Sequence, residues 1–204
     1  MATTAPSPEP RMAGLPADAI ARMHGAARAI RDGALADAER LLANVLAQVP
    51  EHPEALRLLA LLHGRSRNPQ RATQLLQRAL ASLPGDALLL NDLGNMQMAC
   101  GDADAAFAQW RAACTAAPDQ PMPWFNLGRN LQLAGASEPA LEALQKCRGL
   151  APDFLPAHIL AGDALLHLGR FDEAAAAYRT ALRFHPACGD AWRGLANIKS
   201  RPLS

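Results

Sequence analysis

GRFDEAAAAYRTALRFHP, residues 169–186, is the unit that the rest of the chain repeats. Read as a helix, it places Ala174, Tyr178 and Ala181 at i, i+4 and i+7, on one face. Gly169 ahead of it suits a turn, and Pro186 behind it cannot continue a helix. Pro152, Pro118, Pro84 and Pro50 precede Pro186 at steps of 34 residues. That period decides the fold.

Other positions keep the same register. A small residue recurs as Ala38, Ala72, Ala106, Ala140 and Ala174, with a large one four places later as Leu42, Leu76, Trp110, Leu144 and Tyr178. Val45, Ala79, Ala113, Cys147 and Ala181 follow three further on. An earlier helix in each unit carries Leu56-Leu59-Ala60-His63, Leu90-Leu93-Gly94-Gln97, Trp124-Leu127-Gly128-Leu131 and His158-Ala161-Gly162-Leu165. Spacings of 3, 4 and 7 again make one face. The turn glycine recurs as Gly33, Gly101, Gly135 and Gly169, and is Arg67 in the second unit.

These residues resemble the tetratricopeptide repeat, a helix–turn–helix unit of about 34 residues. The resemblance implies an all-α fold: a solenoid of five helix-turn-helix repeats and a C-terminal capping helix, wound as a right-handed superhelix. The repeats fall at 19–52, 53–86, 87–120, 121–154 and 155–188, with the capping helix at 189–200. A lone helix hairpin cannot bury both faces, so neighbours must stack and share a core. Gly94, Gly128 and Gly162 opposite Ala106, Ala140 and Ala174 let the helices approach closely, and the large residues fill what remains.

Composition agrees. Aromatic residues are 4% of the chain, and 20 basic side chains balance 19 acidic ones. That balance steers the protein to neither nucleic acid nor an anionic membrane. Four cysteines, at 100, 114, 147 and 188, show no C-x-x-C and no histidine at ligand spacing. Cys147 sits at a core position and reads as a small hydrophobe. The opening MATTAPSPEPR has no apolar segment of a signal peptide, and no apolar run reaches membrane-spanning length. A cytoplasmic protein is expected.

Residues 1–16 are rich in Ala, Thr, Pro, Ser and Glu and are expected to be a disordered tail, with the solenoid running over 17–204. Asp18 is the expected N-cap of the first helix, and Asn68-Pro69 suits a cap followed by a first-turn proline. Pro53, Pro121, Pro123 and Pro156 also fall at helix starts, where proline is tolerated. The closing segment AWRGLANIKSRPLS is also similar to the junction between repeats and catalytic domain in bacterial sulfotransferases with tetratricopeptide repeats.

No catalytic constellation, cofactor cradle or metal motif is present. H-E-x-x-H, G-x-S-x-G and the Walker A loop are all absent. His158 stands where the family has an aromatic and reads as a packing residue. Acids such as Asp102, Asp104, Asp172 and Glu173 open second helices, where they complement the helix dipole. The chain reads as not an enzyme.

The resemblance implies instead a concave groove lined by the first helix of each repeat. Carried onto this sequence, the groove-facing positions give Arg57, Asn91, Asn95, Phe125, Asn126, Arg129, Asp163, Arg193 and Asn197 as partner-binding residues. Amides can pair with a bound peptide backbone, Arg129 can take a carboxylate, and Phe125, read as exposed, can anchor an apolar side chain. The carboxylate-clamp pattern of chaperone-binding repeats is not met. Asn95 and Asn126 match its amides, but Asn91, Pro156 and Leu160 stand where its basic residues belong.

The leading reading is a non-catalytic module that binds a protein or peptide in the groove. A second is the substrate- or partner-binding arm of a sulfotransferase-like enzyme. A third is a self-assembling scaffold whose open ends associate weakly.

Overall fold

The computed structural model describes residues 10–199. After a 3-10 turn at Pro10–Met12 come eleven α-helices among the described residues. They are α1 Ala17–Asp32, α2 Leu35–Gln48, α3 Pro53–Arg65, α4 Pro69–Ser82, α5 Ala87–Ala99, α6 Ala103–Ala116, α7 Pro121–Leu133, α8 Ser137–Leu150, α9 Leu155–His167, α10 Phe171–Phe184 and α11 Gly189–Lys199. The second helices, α2, α4, α6, α8 and α10, start and end 34 residues apart without a slip.

The punctuation has a physical cause at each place. Proline excludes the helical conformation from the residue before it. Val49, Leu83, Ala151 and His185, each preceding a register proline, accordingly have φ of −130 to −135° and ψ of 70 to 84°. The turn inside each repeat is closed by a backbone N–H reaching five residues back: Ala34 to Ala29, Asn68 to His63, Asp102 to Gln97, Ala136 to Leu131 and Arg170 to Leu165, all 2.9 Å. This helix-ending motif needs a left-handed residue. Glycine supplies it at 33, 101, 135 and 169; at Arg67 a side-chain-bearing residue is held at φ 57°.

Side chains cap the starts of α3, α4, α5 and α6. Asn68 accepts the Arg71 N–H (3.2 Å), and Asp86 and Asp102 accept those of Leu89 (2.9 Å) and Ala105 (3.2 Å). His52 caps α3 through Nδ1, which accepts the Ala55 N–H at 3.3 Å. Asp18 does not cap α1. The helix begins at Ala17 after an extended Pro16, which leaves Asp18 inside the first turn, where it pairs with Arg22.

The chain divides into two compact units between Gln109 and Trp110, inside α6. In unit 1, α1 packs on α2 and α3, α3 on α4, and α4 on α5. Its core is built from Ala19, Met23, Ala26, Ala38, Leu42, Val45 and Leu58 on one side and from Leu56, Leu75, Leu76, Leu89 and Leu93 on the other. In unit 2, α8 lies between α7 and α9, and α10 between α9 and α11. Leu144, Cys147, Ala161, Ala174, Tyr178 and Ala181 form its centre. Burial pushes the Cys147 thiol up to about 11 and that of Cys114 up to about 12, so both are protonated hydrophobes.

Residues 10–16 correct the expected tail, which otherwise lies outside the described residues. Met12 is 6% and Leu15 9% exposed, and both belong to the core that α1, α2 and α3 share.

Candidate functional site

Unit 1 brings the predicted Arg57 and Asn91 into one polar cluster. Arg57 grips Glu54 with both ends of its fork, Nε to Oε2 at 2.8 Å and Nη2 to Oε1 at 2.6 Å, and reaches Asp92 Oδ2 through Nη1 at 3.1 Å. The amide of Asn91 leans on Asp92 Oδ1 at 3.5 Å. Burial alone would lower the Arg57 pKa, but the hydrogen bonds and charges of Glu54 and Asp92 outweigh it and raise it. For Asp92, burial dominates and raises the pKa against the pull of Arg57. Arg57 is thus committed to internal partners, and Asn91 is buried. Asn95, half-buried on α5, stays within reach of solvent.

Unit 2 holds an open groove. A hollow of about 700 Å³ is lined by Gln132 and Leu133 of α7, by Leu160, Asp163, Leu166 and His167 of α9, and by Asn197 of α11. A second, of about 380 Å³, shares Asp163, Leu166 and Asn197 and adds Ile159, Tyr178, Asp190, Arg193 and Gly194. Three sequence-predicted residues therefore meet here: Asp163, Arg193 and Asn197. Asp163 is oriented from below, because its Oδ1 accepts the buried Tyr178 hydroxyl at 2.6 Å. Arg193 is paired with Asp190 one turn away on α11. Gln132 donates through Nε2 to His167 Nδ1 at 2.8 Å, tying α7 to α9 across the groove rim.

The other predicted residues of unit 2 separate. Arg129 is exposed on α7. Phe125 is not the exposed anchor expected of it: it is 9% exposed, its ring edge-on to Phe154 with centroids 4.9 Å apart. Asn126 is buried as well, and its carbonyl accepts the Asn130 amide at 2.8 Å. The apolar contribution comes instead from Leu133, 78% exposed, with Leu160 and Leu166. Their signal in the sequence was weak, because leucine at these positions reads equally well as core.

In unit 2 a repeated hydrogen bond fixes α7, α9 and α11 each to the end of the preceding repeat. Trp124 donates through Nε1 to the Pro118 carbonyl and Trp192 to that of Pro186, each at 3.0 Å. His158 does the same to Pro152 through Nε2 at 2.7 Å. A carbonyl partner requires that nitrogen to carry the proton. Burial lowers the His158 pKa despite this bond, and the charge of Arg148 adds to the effect. The reading of His158 as a packing residue thus gains a polar task.

Among the described residues no cluster of histidine, cysteine and carboxylate could hold a metal ion, and no helix is long and apolar enough to cross a membrane.

Models of the tetratricopeptide repeat match residues 25–87, 58–121 and 131–198. The chain is 27% identical over 125 residues to the Mus musculus protein O-mannosyl-transferase TMTC1, covering 59% of this chain and 13% of that one. It is 32% identical over 109 residues to the peroxisomal targeting signal receptor of Eremothecium gossypii, covering 53% and 19%. The chain thus spans less than a fifth of the length of these relatives. Among solved structures, a crystal structure of MamA superposes with a TM-score of 0.68 at 20% identity, covering 92% of this chain and 98% of that one. Pseudomonas aeruginosa PilF gives 0.78 at 18% identity, covering 89% and 88%. At these identities the likeness concerns the fold.

Proposed function

The chain belongs to the tetratricopeptide repeat family, and on that premise we propose that it is a non-catalytic module that binds a peptide or partner helix in the unit 2 groove. The observation that carries this reading is the exposed Leu133, beside Leu160 and Leu166 and interleaved with Asp163, Gln132, His167 and Asn197. Apolar residues with spaced hydrogen-bonding groups suit a segment that buries one or two side chains and pairs its backbone with the rim. Asp163, Arg193 and Asn197 are kept as groove residues, and Arg129, exposed on α7 outside the two hollows, is proposed as a further contact for a partner that extends along α7.

The test is selection of peptides from a random displayed library on the full chain, followed by titration of the selected peptides against Leu133→Asp. Leu133 contributes little to the core, so the variant should melt as the parent does and bind at least about tenfold more weakly. Undiminished binding by a folded Leu133→Asp chain would refute the groove.

The second reading, an arm that presents a substrate or partner to a transferase, draws on the O-mannosyl-transferase among the relatives, in which the matching segment is 13% of the length. The intact mass of the native protein tests it: a mass well above that of these 204 residues supports the arm.

A further inference from the structure

The first described residues of the chain are seated on unit 1 as a bound peptide would be. Arg11 donates through Nη2 to both carboxylate oxygens of Asp86, at 2.8 and 2.7 Å, across 75 residues of sequence. Its Nη1 lies 3.7 Å from Glu54 Oε2. Met12 and Leu15 enter the apolar surface that also holds Leu58 and Leu62 of α3. Between them Gly14 takes φ 83°, which reverses the backbone so that both side chains point inward. One guanidinium and two apolar side chains thus occupy three matching places on helices α1, α3 and α5.

The seat is charged for such an occupant. Glu54, Asp86 and Asp92 stand together, and with Arg11 withdrawn the remaining ion pairs of the cluster all run to Arg57. Asp86 would keep its backbone partners at the start of α5, the Leu89 N–H at 2.9 Å among them. The polar part of the fastening is light. Arg11 is part-exposed, so its ion pair is screened by salt, and the segment's own backbone bond is that of Leu15 N–H to the Met12 carbonyl.

We propose that this face of unit 1 is a docking site for a short, turn-forming peptide carrying an arginine followed by apolar side chains one and four residues later, and that residues 11–15 occupy it in cis. The tethered segment competes at the high effective concentration of an intramolecular ligand, so a partner gains entry only by displacing it. The proposal concerns unit 1 and stands apart from the groove of unit 2.

The probe is a fluorescein-labelled peptide of residues 8–16, PEPRMAGLP, titrated by anisotropy into the full chain. The full-length double variant Arg11→Ser with Met12→Ser should bind it at least about tenfold more tightly than the parent, because the tethered competitor is gone. Adding Asp86→Asn should remove that gain, 0.5 M salt should weaken binding severalfold, and Leu133→Asp should leave it unchanged. Should the double variant melt too low to titrate, Arg11→Ser alone, whose side chain is part-exposed, gives the same ranking with a smaller gain. Equal binding by parent and variant, or binding that survives replacing the peptide's arginine with glutamate, would overturn the proposal. So would parent dimers that Arg11→Ser dissolves in light scattering, which would make a second copy's segment the occupant.

Discussion

A methyl group placed on Gly162 would lie 2.5 Å from Cε1 of Tyr178, so the helix carrying the glycine rests directly on the tyrosine ring. Gly194 does the same from the other side, where its Cβ would come within 2.5 Å of Cζ. Gly162→Ala and Gly194→Ala should each lower stability by about 1–3 kcal/mol, since neither helix backbone nor a fully buried ring can yield cheaply. Urea melts of both variants check this. Midpoints equal to the parent's would mean that the three helices have room to separate.

The same logic applies one repeat earlier, with a leucine in place of the ring. A Cβ on Gly128 would lie 2.7 Å from Leu144 Cγ and 3.1 Å from the Ala140 carbonyl. Gly128→Leu should destabilise by roughly 1–3 kcal/mol or more through overpacking. Trp110 is fully buried, and Trp110→Ala should cost about 3–5 kcal/mol by opening a cavity. Thermal melts of the two variants provide the measurement.

Arg67 pays for a turn that four other repeats make with glycine. Arg67→Gly should be neutral to stabilising by up to about 1 kcal/mol, because relief of the left-handed strain is partly offset by greater freedom of the unfolded chain. Gly135→Arg, the reverse exchange in the fourth repeat, should destabilise by about 1–2 kcal/mol. If both substitutions shift the melting temperature in the same direction, the turn conformation is not what governs these sites.

Acid should loosen the protein before its carboxylates titrate. Burial holds His52 and His158 below the ordinary imidazole range, although Glu54 pulls His52 upward. The unfolded chain therefore takes up these protons first, and stability present above about pH 6.5 is lost as pH falls toward the depressed folded values. Protonation of His52 at Nδ1 would also abolish its cap on Ala55. Urea melts at pH 7.5 and 5.5 should differ, and His158→Phe should narrow the difference even though it lowers stability at both. A gap of unchanged width would remove His158 from the explanation.

The sequence disclosed the fold through residues whose reasons are local. A proline forces the residue before it out of the helix, and a glycine permits the left-handed turn, so the helix bounds could be placed by inspection. Even the Arg67 exception announced its position. The first segment was misjudged because composition averaged over residues 1–16 conceals Met12 and Leu15, whose burial depends on α3 lying nearby in space. The candidate site was legible only in part. Asp163, Arg193 and Asn197 do meet on one surface. Phe125 and Arg57 occupy groove-facing positions of the repeat, yet Phe154 and the Glu54–Asp92 pair claim their side chains. A position in a repeat gives a direction for a side chain; its neighbours decide whether it arrives there.

Tyr178 is the chain's one tyrosine, and the clamp that Gly162 and Gly194 close on it makes it a clock. A ring held between two backbones can turn over about its long axis only when one of them lifts, while the hydroxyl on that axis stays with Asp163. The flip rate, read from the ring resonances, therefore counts how often α9 or α11 comes away from α10. Because α9 carries Asp163 and α11 carries Arg193 and Asn197, that same count measures how often one wall of the groove stands ajar.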